Sequence, residues 1–566
     1  MTKIKGAEII MECLRKEGVE VIFGYPGGAN LPMYDSLKKY PDIRHILVRH
    51  EQSAAHAADA YARITGKAGV VWATSGPGAT NLVTGIANAW MDSVPLVCIT
   101  GAVVSWLLGR DGFQEADITG ITIPITKHNE LVLNVEDIAP AIKEAFHIAT
   151  TGRPGPVLID IPRDVQQQLC EFDYPEEVNL PGYQPTTTGH PQQVKKAAQM
   201  IAEAERPLIL AGHGVVISRA AEELREVAEK AHIPVITTLL GLGGFPGSHE
   251  LFMGMPGMHG MYWNNMAIQE ADLLIGIGMR FDDRVTGALN HFAPKARIIH
   301  IDVDPAEIAK NVKTAVPIVG DVKTVLRQLI PHVQPARHDA WLNWIQDMRR
   351  DHPSIAIPET NRLLPQYVIK RIYELSGHDA YYATGVGQHQ MWAAQFFWGD
   401  HPYSFVTSGG LGTMGFEVPA GIGIQVARPH STVWTFCGDG GFQMTMEELA
   451  LCTEYELPVK FAIINNQYLG MVRQWQDHYY DGNKQSVRMF QPDFVKIAEA
   501  MGITGLRVTE KSQVDSSIEA ALQHPGAVLI DFQVEEAEDC FPMMPPGVSL
   551  SETIDQPPVE QPEMVR

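Results

Sequence analysis

Two short polar segments in the last third of the chain follow hydrophobic runs that are typical of β-strands. The run 432–437 leads into Gly438-Asp439-Gly440, and the run 459–464 leads into Asn465-Asn466. The carboxyl ends of parallel strands meet at one edge of a sheet, so these residues are expected to lie close together. The glycines would let the backbone approach a diphosphate, and Asp439 and the Asn466 amide oxygen are ligands suited to Mg²⁺. An isolated Gly-Asp-Gly is usually only a turn, but the spaced asparagine pair favours a magnesium–diphosphate site.

A second candidate is Glu51, which precedes the alanine-rich segment 53–63. Small residues let such a helix pack closely on a sheet, which would leave Glu51 with few water neighbours and able to share a proton with a ring nitrogen. The alternative is an acid favoured at a helix N-terminus by the helix dipole. The glycine-rich segments 23–28 (FGYPGG) and 74–81 (TSGPGATN) favour the functional interpretation.

Short apolar strands that alternate with helix-like segments must position these residues. This alternation predicts an α/β protein with three doubly wound parallel-sheet domains. Polar, proline-containing stretches near 175–193 and 332–341 are the expected linkers. The predicted domains are 1–175, which carries Glu51, 190–335, which looks like a dinucleotide-binding half, and 360–540, which carries the candidate magnesium–diphosphate site; a tail at 541–566 follows.

The composition excludes several classes of protein. A net charge of −22 over 566 residues, without a dense basic run, argues against a nucleic-acid ligand. The chain has no signal-peptide core and no apolar run long enough for a bilayer, so no membrane partner is expected. Six scattered cysteines predict reduced thiols and a cytoplasmic location.

The motifs stand in the order of one family over nearly the whole chain. They include RHEQSAAHAADAYAR, TSGPGATN, DGFQEADI, GMHG, MRFDDRVTG, GGLGTMGF, GDGGFQM, IINNQYLGMVRQWQ and PMMPPG. The sequence thereby resembles the catalytic subunits of the acetolactate synthase family of thiamine-diphosphate enzymes. The resemblance implies decarboxylation of pyruvate and condensation with pyruvate or 2-ketobutyrate, giving acetolactate or acetohydroxybutyrate for branched-chain amino-acid biosynthesis.

The resemblance also implies roles for single residues. Glu51 would hydrogen-bond the aminopyrimidine ring of thiamine diphosphate. Met414 would hold that cofactor in its bent conformation, although a methionine of the hydrophobic core is the alternative. Arg280 would grip a substrate carboxylate and Trp475 would contact an extra methyl group, against the alternatives of a surface ion pair and a core aromatic. Phe113 and Gln114 would belong to the wall that a partner subunit contributes.

Three ligands are implied by the same resemblance. Thiamine diphosphate would be held by Tyr25, Pro26, Gly27, Gly28, Glu51, Pro77, Asn81, Gly387, Gln388, His389, Gly412, Met414, Gly438, Asp439, Gly440, Gly441, Asn466, Tyr468, Leu469, Gly470, Met471 and Val472. Mg²⁺ would be held by Asp439, Asn466 and Tyr468. FAD would be held by Arg153, Gly212, Thr238, Leu239, Met258, His259, Gly278, Arg280, Asp282, Arg284, Asp302 and Asp321.

Four positions depart from the usual family pattern. Ala102 stands in place of a glutamine, Arg163 in place of a lysine, Glu417 in place of a glycine, and His213 lies in a flavin-side loop that is usually richer in glycine. An acid beside a diphosphate site is costly unless it is paired. These changes leave the preferred acceptor and the rate open.

Other functions compete with this interpretation. Another thiamine-diphosphate carboligase or decarboxylase, or a flavin-linked pyruvate oxidase, is the nearest alternative, and a non-catalytic binding subunit is a remote one. A simple NAD-binding module is disfavoured because no GxGxxG follows a first strand. A homodimer or homotetramer is expected, and a regulatory small subunit is implied by resemblance only.

Overall fold

A computed structural model describes residues 3–556. It contains three parallel six-stranded sheets, each flanked by helices, and thus confirms the predicted α/β architecture. Within these residues, no helix is both long and apolar enough to cross a membrane.

The first sheet carries the Glu51 region. Its strands run in the order β3-β2-β4-β5-β7-β6, and a separate antiparallel pair joins β1 to β8. The strands are β1 (Lys3–Lys5), β2 (Val21–Gly24), β3 (Arg44–Leu47), β4 (Gly69–Ala73), β5 (Leu96–Ala102), β6 (His128–Leu131), β7 (Val157–Pro162) and β8 (Leu169–Glu171). The helices are α1 (Gly6–Lys16), α2 (Leu31–Leu37), α3 (Glu51–Thr65), α4 (Pro77–Thr80), α5 (Val83–Asp92), α6 (Ile118–Thr122), α7 (Ile138–Thr150) and α8 (Arg163–Gln167).

The central sheet has a different strand order, β11-β10-β9-β12-β13-β14. In order of appearance this is 3-2-1-4-5-6, the order of dinucleotide-binding folds. Its strands are β9 (Pro207–Ala211), β10 (Val235–Thr237), β11 (Phe252–Gly254), β12 (Leu273–Ile277), β13 (Arg297–Asp302) and β14 (Val316–Val319). Its helices are α9 (Pro191–Glu203), α10 (His213–Ile217), α11 (Ala221–Ala231), α12 (Tyr262–Glu270), α13 (Asp283–Thr286), α14 (Val322–Leu329) and α15 (Asp339–Asp351).

The third sheet carries the Asp439 region and has the order β16-β15-β17-β18-β20-β19. Its strands are β15 (Tyr381–Thr384), β16 (Phe405–Thr407), β17 (Val433–Gly438), β18 (Lys460–Asn465), β19 (Thr504–Val508) and β20 (Val528–Gln533). Its helices are α16 (Pro365–Leu375), α17 (Gln388–Phe396), α18 (Glu417–Ala427), α19 (Asp439–Phe442), α20 (Leu449–Glu454), α21 (Gly470–Tyr479), α22 (Phe494–Ala500) and α23 (Val514–Gln523).

The first and third sheets share one strand order, 2-1-3-4-6-5 by appearance. In each sheet the direction of winding reverses between the first and third strands, which are β2 and β4 in one and β15 and β17 in the other. Ligands of open parallel sheets bind outside the carboxyl ends at such a reversal. The fold therefore offers two binding edges of the same kind.

Helices α3 and α18 hold these two sheets together in a shared apolar core. Their contact is close because the facing residues are small: a Cβ on Gly423 would lie 2.1 Å from the carbonyl oxygen of Ala57. The alanine-rich sequence of α3 thus serves this docking.

The segment 541–556 lies on the central domain. Met543 pairs with Ile554, and the Met544 amide donates to the carbonyl of Met258. The rest of the predicted tail, 557–566, lies outside the described residues.

Candidate active site

Glu51 begins α3 and is 8% exposed, at the edge where β2 and β4 end. The Asn81 amide donates to its Oε2 at 2.9 Å. A Cβ on Gly78 would lie 3.1 Å from Oε1, so glycine there keeps space beside the carboxyl. One oxygen is thus held by an amide, and the other lies beside a glycine that carries no side chain.

A second acid fixes the backbone before Glu51. The buried carboxylate of Glu448 accepts hydrogen bonds from the amides of Arg49, at 3.0 and 3.1 Å, and His50, at 2.9 Å. Burial raises the pKa of Glu448 to about 7. The third sheet's domain therefore positions the first residue of α3.

The glycine-rich turn 25–28 completes this half of the site. The Gly27 amide donates to Asn30 Oδ1 at 2.7 Å, and a Cβ on Gly27 would lie 2.4 Å from Thr74 Cγ2. Tyr25 is 39% exposed, and Pro26, Gly28 and Pro77 are at least partly exposed beside it. The turn is closely packed on one side and open on the other.

Asp439 lies directly after β17 and is 2% exposed. The Gln491 amide donates to its Oδ2 at 2.7 Å. Burial raises the pKa of Asp439 to about 7, because the charged form loses its contact with water. A divalent cation would stabilise that charged form.

Asn466 follows β18 at the same edge, as predicted. Its Nδ2 donates to Gln388 Oε1 at 3.1 Å, and its Oδ1 accepts from the amide of Tyr468 at 3.3 Å. Gly387 needs glycine, since its φ is +140°. The neighbouring His389 is buried, which lowers the pKa of its imidazole to about 3, and its Nε2 has no hydrogen-bond partner among residues 3–556.

The remaining turn residues pack around Gly440. A Cβ on Gly440 would lie 2.7 Å from Leu469 Cδ2 and 3.6 Å from Met414 Cε. Met414 is therefore a neighbour of the Gly438–Gly441 turn.

A buried network holds the loop that carries Gly412 and Met414. Asp92 accepts from the amides of Gly409 at 3.0 Å and Gly410 at 2.6 Å, and from Arg63 Nη2 at 2.9 Å. Arg63 also donates to Asp59 at 2.6 Å. The first domain therefore sets the position of a loop in the third.

A cavity of about 1110 Å³ runs from the central domain to this loop. That volume is larger than a drug-sized ligand needs and suits a dinucleotide. Central residues along it are Thr238, Leu239, Met258, His259, Gly278, Arg280, Asp282, Arg284, Asp302 and Asp321, together with Arg153 of the first domain. Gly387, Gly412, Met414, Met471, Val472 and Trp475 line its other end.

Charged groups are arranged along the central wall. Arg153 Nη1 lies 2.9 Å from Glu307 and 3.2 Å from Asp304, and Arg280 lies 3.3 Å from Asp282. Burial raises the pKa of Asp302 to about 7.

Two predicted flavin residues support backbone structure. Asp321 caps α14 by accepting from the Thr324 amide at 2.9 Å. Gly212 does not line the cavity; a Cβ there would lie 2.3 Å from the Gly278 carbonyl oxygen. Its observed role is close packing.

The four departures from the family pattern occupy different surroundings. Ala102 lines a small cavity of about 20 Å³ beside Asp160, and Arg163 is exposed at the start of α8. His213 contacts the carbonyl oxygen of Asp92 at 2.7 Å, and burial lowers its pKa to about 3. Glu417 is fully buried.

The structure brings the predicted residues together as two half-sites. Glu51 and Asn81 lie on the first domain, Asp439 and Asn466 on the third, and the large cavity is not lined by Glu51 or Asn81. Phe113 is 89% exposed on the first domain. Gln114 has a φ of +60°. It packs against Gly76, where an added Cβ would lie 2.9 Å from the Gln114 Cα.

Sequence reasoning missed three residues that support the site: Gln491, which donates to Asp439, and Asp92 and Glu448, which hold neighbouring backbone. Asp92 is the last residue of α5, and Glu448 lies in a short turn before α20. Neither belongs to a motif with a second polar residue at a characteristic spacing. No sequence pattern marks these contacts, because each joins residues far apart in the chain.

Comparisons with known proteins identify the family of the chain. Models of the N-terminal, central and C-terminal domains of thiamine pyrophosphate enzymes match residues 4–121, 194–329 and 385–532. The chain is 51% identical to the acetolactate synthase of Mycobacterium bovis, over 98% of this chain and 91% of the relative. It is 48% identical to a probable acetolactate synthase large subunit of Methanocaldococcus jannaschii, over 99% and 97%. It is 43% identical to the acetolactate synthase large subunit of Haemophilus influenzae, over 99% and 100%.

Three domain matches in order, and identity of about half over nearly full length, confirm the resemblance drawn from the motifs. The chain therefore belongs to the acetolactate synthase family of thiamine-diphosphate-dependent enzymes.

Proposed function

We propose that this chain joins pyruvate to a second 2-keto acid, pyruvate or 2-ketobutyrate, at a site built from both half-sites described above. The observation that carries the proposal is the pair of equivalent sheet edges, one holding Glu51 with Asn81 and the other Asp439 with Asn466. Thiamine diphosphate, when bound, supplies the acidic carbon and takes up the electrons released as CO₂ leaves.

The residues of the first half-site handle a proton. Glu51 would hold it at Oε1, the oxygen beside Gly78, while Asn81 fixes Oε2. Glu448 fixes the backbone before Glu51, and the Asn81 amide holds the carboxyl itself. This arrangement supports proton transfer to a cofactor ring nitrogen.

The second half-site would hold the diphosphate through Mg²⁺. Asp439, the Asn466 amide oxygen and the Tyr468 carbonyl are the proposed ligands. Within residues 3–556 no group of three His, Cys, Asp or Glu side chains could form a metal site, so phosphate oxygens and water must complete the shell. Mg²⁺ favours such a mixed set.

The large cavity would bind FAD. Its volume, the 3-2-1-4-5-6 strand order and the guanidinium groups of Arg153, Arg280 and Arg284 support a dinucleotide with a diphosphate. The carboligation needs no net redox change, so FAD is proposed as a bound cofactor and not as an oxidant. Trp475 and Arg280 line the same cavity and would contact the second substrate.

A second copy of the chain would complete each site. Phe113 is 89% and Val472 48% exposed in the single chain, and both belong to the proposed site. A homodimer that brings the first domain of one copy to the third domain of the other would cover these side chains. Homotetramers, a regulatory small subunit and a cytoplasmic location belong to the same proposal.

The direct experiment is product analysis. Purified protein with thiamine diphosphate, Mg²⁺ and FAD receives pyruvate, with or without 2-ketobutyrate. Acetolactate or acetohydroxybutyrate that disappears when thiamine diphosphate is omitted supports the proposal. Acetaldehyde or acetate would instead assign a decarboxylase or an oxidase, and the absence of any product would indicate a non-catalytic homologue.

A further inference from the structure

Three buried side-chain amides form a hydrogen-bonded row behind the third sheet's binding edge. Asn466, directly after β18, donates from Nδ2 to Gln388 Oε1 at 3.1 Å. Gln388, the first residue of α17, donates from Nε2 to Oε1 of Gln474 in α21 at 2.8 Å. This amide row, Asn466-Gln388-Gln474, joins a proposed magnesium ligand to the interior of the domain.

Helix α21 is shaped to admit the amide row. A Cβ on its first residue, Gly470, would lie 2.1 Å from Gln388 Oε1 and 2.7 Å from Asn466 Nδ2. Glycine therefore leaves the space in which these two amides meet. Gln474 follows four residues later, on the same face of the helix. One face of α21 thus supplies both the gap and the last amide of the row.

The backbone of the segment 538–540, which follows β20, fixes the inner end of the row. The Cys540 amide donates to Gln474 Oε1 at 2.9 Å, and Gln474 Nε2 donates to the Cys540 carbonyl oxygen at 3.0 Å. The Glu538 carbonyl oxygen accepts from Gln388 Nε2 at 3.1 Å. A peptide group cannot exchange its donor and acceptor, so these contacts are a fixed reference for the side chains.

The orientation of each amide in the row follows from this reference. A side-chain amide has nearly the same shape when it is reversed, so its hydrogen bonds decide which end is oxygen. Reversing Gln474 would place two donors together and two acceptors together at Cys540. Reversing Gln388 would set its oxygen against the oxygens of Gln474 and Glu538. Asn466 must therefore turn its NH₂ group toward Gln388 and its oxygen to the other side.

We propose that Gln474 is a positioning residue for the metal, because through Gln388 it holds the Asn466 amide with its oxygen available to Mg²⁺. This rests on the proposed function, in which the Asn466 amide oxygen is a metal ligand. Mg²⁺ binds oxygen and an amide NH₂ group is only a donor, so a reversed Asn466 would lose the ligand. Gln474 reaches the metal only through Gln388.

The experiment measures the Mg²⁺ concentration that gives half-maximal binding of thiamine diphosphate to the full chain. Equilibrium dialysis at a series of Mg²⁺ concentrations provides this midpoint. Gln474→Met keeps the side chain's length but removes its amide, which frees Gln388 and the Cys540 backbone from their partner. The midpoint should rise about tenfold, which corresponds to about 1.4 kcal/mol, near the contribution of one hydrogen bond.

Gln425→Met is the matched control for the loss of a buried glutamine in the same domain. Gln425 is also fully buried, and it donates to the carbonyl oxygens of Arg428 at 2.9 Å and Ser431 at 3.1 Å. Both variants should lower the melting temperature, because each removes hydrogen bonds to backbone groups. Only Gln474→Met should move the Mg²⁺ midpoint by more than about twofold.

A second background separates orientation from general support. Asn466→Asp supplies a carboxylate whose two oxygens are equivalent, so either end can meet the metal. In that background Gln474→Met should no longer raise the midpoint, whereas a merely structural role would give the same rise in both backgrounds. If Gln474→Met does not fold, Gln388→Met replaces it, since that variant leaves Gln474 paired with Cys540.

The two levels of the proposal fail in different ways. An unchanged midpoint in Gln474→Met, or equal rises in the two backgrounds, would overturn the role of Gln474. Asn466→Ala tests the ligand itself and should raise the midpoint more than Gln474→Met does. An unchanged midpoint in Asn466→Ala would overturn the metal assignment of the proposed function, and the inference with it.

Discussion

Replacing Asp92 by asparagine should loosen the loop that carries Gly412 and Met414. Asp92 uses both oxygens: one accepts from Gly410, and the other accepts from Gly409 and Arg63. Asparagine has one acceptor oxygen in place of two. Its NH₂ group would therefore face either the Gly410 amide, or both the Gly409 amide and Arg63.

The cost follows from these contacts. One buried N–H left without an acceptor costs about 1–3 kcal/mol. Breaking a buried ion pair costs about 3–5 kcal/mol. The cost is lower here because Arg63 retains its hydrogen bond to Asp59, at 2.6 Å. The local opening free energy of the loop should therefore fall by about 3–4 kcal/mol, which is about two to three orders of magnitude in protection.

Hydrogen exchange resolved to residues 409–413 measures this loss. Amides of β9 should keep their protection, because local opening is confined to the loop. The exposed Asp35→Asn is the matched control and should change nothing by more than about 0.5 kcal/mol. Unchanged exchange at 409–413 in Asp92→Asn would refute the view that this carboxylate holds the loop.

Three further predictions concern the half-sites. Glu51→Gln should reduce turnover by at least about 10²-fold, the usual contribution of acid–base catalysis, while thiamine diphosphate affinity stays within a few-fold; undiminished turnover would remove Glu51 from proton transfer. Asp439→Ala should abolish the increase in thiamine diphosphate affinity that Mg²⁺ gives, measured by calorimetry with and without the metal, and tight Mg²⁺-dependent binding by the variant would contradict the ligand assignment. Burial raises the pKa of Glu448 from 4.5 to about 7, so the folded chain holds this proton more tightly than the unfolded chain, and the contribution of Glu448 to stability falls as pH rises from about 4.5 to about 7. The melting temperature of wild type relative to Glu448→Gln should therefore decline over that range, and a constant difference would count against this sign.

The sequence predicted candidate residues for each sheet edge but not the side chains that support those edges. The positions of Asp439 and Asn466 at one sheet edge could be predicted, because both follow apolar runs and parallel strands place such residues at the same edge. Asp92 and Glu448 were not found, because each acts on backbone amides more than 300 positions away in sequence. Such contacts depend on how two domains dock.

Strand order was also beyond the sequence pattern. Alternating strands and helices predict parallel sheets, yet they do not tell a 3-2-1-4-5-6 order from a 2-1-3-4-6-5 order. The domain limits and the individual cofactor residues remain predictions. The depth of Glu417 could not be read from its sequence position, since charged residues at the start of a helix are usually exposed.

Each of the three sheets is complete within one stretch of chain, and this has a consequence for how the polypeptide can be made. A cut between α15 and α16, near residue 357, separates no pair of strands. The two fragments would meet again through α3 against α18 and through the segment 541–556 against the central domain. We therefore expect two separately expressed polypeptides, 1–357 and 358–566, to reconstitute one molecule, and failure of the purified fragments to co-elute would contradict this.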